Sequence, residues 1–298
     1  MTLTCLAAAV LLLAGCSGTQ AASAAVDENP DVIVVVATIP VLADLARNVG
    51  GTLVEVHSAV PPGVDPHSFQ TTPGDSVIIS RAGLTISNGS GLDDFLIPVF
   101  QSARPGHAIH VVASDGLESQ SLSGRPLNDL EADPHFWQDP LLAIHYVEQI
   151  RDGLVQADPR NAPRYREQAR QYTDRLRMLD REIAGLLDQV PPASRILVTH
   201  HEAFSHLAKR YGWRTLALAP GDAGSVTPEA IIRVSQAVRD AGLPSVFVEP
   251  RFRSSALDQV ARDAGIRVSP IYAGLGGEAN TYVVMMQLNA RSLAENLR

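Results

Sequence analysis

The stretch Arg195-Ile-Leu-Val-Thr-His-His-Glu-Ala-Phe-Ser-His206 decides how the rest of the chain is read. A short β-branched apolar run, Arg195 to Thr199, hands over to a helical pattern from Glu202 to Tyr211, so His200 and His201 fall where a buried strand meets a helix. Ligands of α/β sheets bind at that place, beyond the carboxyl ends of the strands. Two further histidines stand in proline-bounded loops: His67 in Pro61-Pro-Gly-Val-Asp-Pro-His67 and His135 in Asp133-Pro-His-Phe-Trp-Gln-Asp-Pro140. Imidazole is the commonest protein ligand for a borderline-soft divalent metal, and three from separate loops make a candidate zinc site.

Outward from that stretch the chain alternates. On its C-terminal side the pattern predicts strand Thr215–Leu218, helix Thr227–Ala241, strand Ser245–Glu249, helix Ser254–Ala264, strand Arg267–Ile271 and a closing helix from about Asn280. On its N-terminal side Pro191-Pro192 ends a long helix from Ala162 to Gln189. Tyr165, Ala169, Tyr172, Leu176, Leu179, Ile183, Leu186 and Val190 step along one face of it by threes and fours. At 1.5 Å per residue such a helix is about 42 Å long, enough to run along two lobes as a spine. A coiled-coil seam is the alternative, but Tyr and Ala are poor seam residues.

Upstream of the spine the alternation begins with strand Val32–Ala37, helix Pro40–Asn48 and strand Leu53–Val60. Helix Pro73–Ala82, strand Leu84–Ser87, helix Leu92–Gln101 and strand His110–Val112 follow, then a polar loop over 113–132 and a helix from Pro140 to Gly153. Strands separated by helices of this length give a parallel sheet covered on both faces. The expected fold is therefore α/β with two lobes, 31–160 and 191–298, each a parallel sheet flanked by helices, joined by a linking helix at 161–190. The site lies in the cleft between them.

The N-terminus carries a different signal. Leu3 to Ala14 is apolar but shorter than the ~20 residues that span a bilayer, and Leu13-Ala-Gly-Cys16 looks like a lipobox. Residues 1–15 read as a lipoprotein signal peptide, Cys16 as the lipid-bearing first residue of the mature chain, and 16–30 as a flexible tether. The only cysteines are Cys5 and Cys16, so the exported domain has no disulfide. A net charge of −8 argues against nucleic acid as a partner, which needs basic patches.

With these pieces in place, the chain resembles the metal-binding solute-binding lipoproteins of ABC importers, the zinc and manganese class, over essentially its whole mature length. The resemblance rests on the lipobox, Pro-Gly-Val-Asp-Pro-His67, Asp-Pro-His135 with Trp137 and Pro140, and the spine helix. It continues in His201-Glu-Ala-Phe204 with Tyr211-Gly212, Val246-Phe-Val-Glu249, and Thr281-Tyr-Val-Val-Met-Met286 with Asn289.

It implies a divalent metal held between two lobes by His67 and His135 from the first and His201 from the second, then passed to a cognate ABC permease. Manganese-preferring relatives tend to carry a carboxylate where this chain has His201, so Zn²⁺ is expected ahead of Mn²⁺. The family's usual fourth ligand is an aspartate, whose place in Tyr272-Ala-Gly-Leu275 falls to Ala273. Water, Glu278, Glu202 or Asp222 remain open for that position, and His200 is the alternative to His201.

His206, five residues on from His201, is expected to face elsewhere. His57 and His145 read as ordinary surface or core residues, and His107 with His110 as at most a metal-recruiting pair. The resemblance implies an exported, lipid-anchored binding protein, a monomer with no catalysis of its own. A three-histidine zinc hydrolase using an open fourth position and a metal-dependent surface adhesin are the rival readings.

Overall fold

Val34, Val35, Val36 and Ala37 alternate between two apolar layers, and the first half of the molecule is built on that alternation. In the computed structural model of the chain, residues 32–103, 108–117, 133–219, 226–250 and 254–298 are described. Cys16 with the leader and tether, His107, Asp222 and most of the 113–132 loop lie outside the described residues.

Strands β1 (Ile33–Ala37), β2 (Val54–Ser58), β3 (Leu84–Ser87) and β4 (Ile109–Val112) form one parallel sheet in the order β2-β1-β3-β4. Val35 and Ala37 face α1 (Pro40–Gly50) and α4 (Pro140–Ala157) in the main core. Val36 points the other way and packs with Ile79, Ala82 and Phe100, contributed by or next to α2 (Pro73–Ser80) and α3 (Ile97–Ala103). Both faces are thus covered, as continuous rather than alternating apolarity in Ile33–Ala37 requires. The helix expected at Leu92–Gln101 starts later, at Ile97, after a 3₁₀ turn at Asp94–Leu96. Pro98, which lacks an N–H, then falls in its first turn, where no donor is needed.

The spine α5 runs over Ala162–Leu187, 26 residues and therefore about 39 Å. Its predicted apolar face is the buried one, from Tyr165 through Ile183. Leu187 rather than Leu186 closes it. Asp180 is also buried there, where Arg210 makes two hydrogen bonds to its carboxylate at 2.8 and 2.6 Å.

The second half carries β5 (Ile196–His201) paired in parallel with β6 (Arg214–Ala219), and β7 (Ser245–Val248) paired in parallel with β8 (Arg267–Pro270). Strands β5 and β7 lie side by side. Around them stand α6 (Ser205–Tyr211), α7 (Pro228–Asp240), α8 (Ser255–Ala264) and α9 (Tyr282–Asn296). Three of these helices are capped by a hydroxyl: Thr227, Ser254 and Thr281 accept from the N–H groups of Ala230, Leu257 and Val284. The helix expected from Glu202 begins only at Ser205, because the β5–β6 ladder continues to the pair His201 and Ala219. His200 and His201 are therefore the last residues of a strand, and Glu202 to Phe204 make the turn.

No helix among the described residues is long and apolar enough to cross a membrane.

Candidate metal centre

Asp65 and Pro66 fix the first histidine. The Asp65 carboxylate accepts from the His67 N–H at 3.0 Å, and Pro66 sets the first φ of the 3₁₀ turn Pro66–Ser68, so His67 is presented from a capped turn. The preceding Gly63 has φ of +77°, and its N–H donates to the Leu275 carbonyl at 2.7 Å. That bond ties the loop of the first histidine to the opposite wall.

Asp133 performs a similar task for His135. Its Oδ1 accepts from the His135 backbone N–H at 2.9 Å and from ring Nδ1 at 2.7 Å, while Oδ2 accepts from the Ser205 N–H at 3.0 Å. Burial works to raise this carboxyl, but the His135 hydrogen bond and charge, aided by His206 and Ser205, hold it well below the usual carboxylate range. Donation from Nδ1 fixes the tautomer and leaves Nε2 of His135 as the basic nitrogen, the usual arrangement for a metal-binding histidine backed by a carboxylate. Trp137, two residues on, packs edge-on to the His135 ring at 5.0 Å between centroids. Its indole N–H donates to the Ala273 carbonyl at 2.8 Å, joined there by the Gln138 amide at 2.9 Å.

His201 arrives from the end of β5. The ring centroids of His67 and His135 are 5.7 Å apart, those of His135 and His201 5.7 Å, and those of His67 and His201 6.3 Å. One nitrogen from each ring lies within 4.8 Å of the other two. A tetrahedral ion with ~2.0 Å bonds needs ligand atoms about 3.3 Å apart, so small side-chain rotations close the set.

The three rings line a cavity of about 470 Å³. Its other walls include Trp137, His200, Glu249, Ala273 and Glu278.

The remaining sequence candidates separate cleanly. His200 lines the cavity, but its Nδ1 pairs with the Ser254 hydroxyl at 2.9 Å, and burial lowers its pKa. His206 faces away as expected: its Nε2 bonds the Asp133 carbonyl at 2.9 Å and its ring stacks on Phe136 at 4.5 Å. Glu202 accepts from the Ser205 hydroxyl at 3.0 Å, does not line the cavity, and is pushed up in pKa by burial. Glu278 stays on the cavity wall. His57 pairs with Glu55, His145 with the Asp115 carbonyl, and His110 with Thr85 and Ser87, all away from the cavity walls.

Two acidic residues of the site carry roles the sequence reading left unassigned. Asp133 is one; the spacing Asp-Pro-His, which repeats the Asp-Pro-His of the 67 loop, is the signal that marks it. Glu249 is the other. Its Oε1 stands 3.5 Å from Nδ1 of His201, with its side chain 29% exposed at the cavity wall. Burial pushes its carboxyl up to about 7, offset in part by the charge of His135 and by the Ala273 N–H that it accepts. Its place just past the C-terminal end of β7, beside the end of β5, is where α/β sheets gather ligand groups.

Two half-molecules of parallel strands, a helix spanning both and three histidines gathered on one cavity wall are the architecture of a metal-binding solute-binding protein of an ABC transporter. The chain belongs to the family of the zinc-uptake complex component A, periplasmic (ZnuA), whose profile matches residues 35–296. It is 29% identical to the iron-binding protein YfeA of Yersinia pestis over 97% of this chain and 95% of the relative. It is 31% identical to the manganese ABC transporter substrate-binding lipoprotein PsaA of Streptococcus pneumoniae over 96% and 94%.

Among solved structures, the periplasmic zinc-binding protein TroA of Treponema pallidum matches with a TM-score of 0.80 and 26% identity over 89% of this chain and 99% of that one. The manganese-bound periplasmic metal-binding protein of Candidatus Liberibacter asiaticus matches equally, at 0.80 and 26%, over 89% and 100%. Membership of a binding-protein family sets aside the hydrolase alternative.

Proposed function

We propose that this chain captures Zn²⁺ with His67, His135 and His201 and delivers it to the cognate ABC permease, as a monomer tethered outside the cytoplasm by lipid on Cys16. In this reading residues 31–160 and 191–298 are the two walls and 161–190 the linker. The observation that carries the choice of ion is the donor set: three imidazole nitrogens within 4.8 Å of one another, with His201 rather than a carboxylate in the third place. Nitrogen ligands favour zinc, later in the first-row affinity order, over manganese and ferrous iron. The relatives named for manganese and iron make this a question for measurement.

The test is a competition titration of the chelator-treated mature chain against Zn²⁺, Mn²⁺ and Fe²⁺. One Zn²⁺ per chain is expected, bound at least about a hundredfold more tightly than Mn²⁺. Alanine at any of the three histidines should weaken zinc by orders of magnitude. Manganese bound as tightly as zinc overturns the ion assignment, and an unchanged affinity in one alanine variant removes that residue from the site. Because only deprotonated imidazoles ligate, affinity should fall as pH drops below about 6.5.

A further inference from the structure

We infer that Glu249 is the fourth ligand of the bound ion, standing in for the carboxylate that the chain lacks at Ala273. The inference rests on the three-histidine reading just given, and it adds a residue from a different strand.

Distance separates a ligand from an orienting group. Where a carboxylate in this site orients a histidine, it makes a short bond, as Asp133 does to Nδ1 of His135 at 2.7 Å. Glu249 Oε1 stands 3.5 Å from Nδ1 of His201, longer than the 2.7–3.2 Å range of N–H···O bonds. That spacing matches the edge of a zinc tetrahedron, about 3.4 Å for bonds of 2.0–2.1 Å.

Position agrees with distance. Glu249 accepts from the backbone N–H of Ala273, so its carboxylate is held against the very residue where the usual aspartate is absent. The Ala273 carbonyl on the other side of that residue is fixed by Trp137 and Gln138. A carboxylate so anchored stays on the cavity wall beside His201. Two other acids line the wall: Asp65, whose Oδ1 is taken by the His67 N–H, and Glu278, which lies in the turn after Gly277.

Cobalt(II) replaces zinc in such sites and reports an open position through its visible spectrum. The experiment loads the full mature chain with Co²⁺, adds azide, and repeats this with E249Q, E249D and E278Q, with zinc affinities measured alongside. With four protein ligands the wild-type spectrum should not respond to azide, and E278Q should behave like wild type. E249Q should respond and should lose more than about a hundredfold in zinc affinity, beyond the 10–100-fold typical of a lost outer-shell partner.

E249D, one methylene shorter, should fall between them and supplies the answer should E249Q fail to fold. A wild-type spectrum that shifts with azide overturns the inference, because the fourth position is then open. So does an E249Q protein that keeps zinc affinity within tenfold and ignores azide. A folded wild-type chain that takes up neither cobalt nor zinc instead overturns the underlying metal-capture reading, and the two failures are thereby told apart.

Discussion

Asp133 accepts three hydrogen bonds with two oxygens, and its carbonyl accepts a fourth from His206, so one residue links the second histidine to the start of α6. An amide at that place keeps one acceptor oxygen and turns an NH₂ group toward either Ser205 N–H or His135. D133N should therefore lower zinc affinity 10–100-fold while the chain still folds, the usual cost of removing the group behind a metal-binding histidine. A competition titration checks it, and an unaltered affinity would show that Asp133 has no positioning role. Asp44 offers a test of buried charge away from the site. Burial raises its carboxyl, against the Tyr282 N–H it accepts at 2.9 Å and the charge of Arg47. A raised folded value means that its favourable contribution is present at acid pH and lost as pH rises through that value. D44N keeps an acceptor for Tyr282 and carries no charge, so it should gain on the wild type in urea stability between pH 4 and pH 7. A gap that stays constant sinks the buried-charge reading.

At the scale of elements, the turn Tyr272–Glu278 decides how closely the two walls approach. A Cβ on Gly276 would lie 2.7 Å from Cα and 2.8 Å from N of Gly63, backbone atoms that cannot swing away. The neighbouring bond from Gly63 N–H to the Leu275 carbonyl depends on that approach. G276A should then force the His67 loop off the turn, costing about 1–3 kcal/mol of stability as an overpacked contact and weakening zinc binding, read by thermal unfolding and titration on one sample. Unchanged values for both would mean that the loops need not touch. This contact also marks where sequence reading ran out. The strands, the spine and its buried face, and the gathering of His67, His135 and His201 in one place were legible, because each is signalled by periodicity or by punctuation within a few residues. Val246-Phe-Val-Glu249 gave no sign that its carboxylate faces His201, since that proximity arises only when β7 lies beside β5. The start of α6 was misjudged for a like reason: the ladder with β6 extended a strand that local propensity would have ended at Thr199.

At the scale of the molecule, the stitching between the walls limits how the ion can leave. The segment bearing His135 is bonded to the second half at Ser205, His206, Ala273 and Tyr282, whose hydroxyl donates to the Trp137 carbonyl at 2.6 Å. The spine adds the Arg210 pair at Asp180 and the Gln287 pair at Glu182, each crossing from α5 to a helix of the second half. Wide opening about a hinge would break all of these together, most of them buried, at a net cost of roughly 1 kcal/mol or more for each bond. Among the described residues, the loop of His67 is braced by its own Asp65 cap and reaches the second half through the bond from Gly63 to Leu275. Entry and release should therefore run through residues 61–69 while the two halves stay together. Removing zinc with a chelator should change the radius of gyration by less than about 1 Å, the scale of pre-organised binding. Amide exchange should quicken chiefly over 61–69 and the 272–278 turn, while the spine stays protected. A scattering change of several ångströms, or faster exchange spread along α5, would show that the halves swing apart and that these bonds do not hold them.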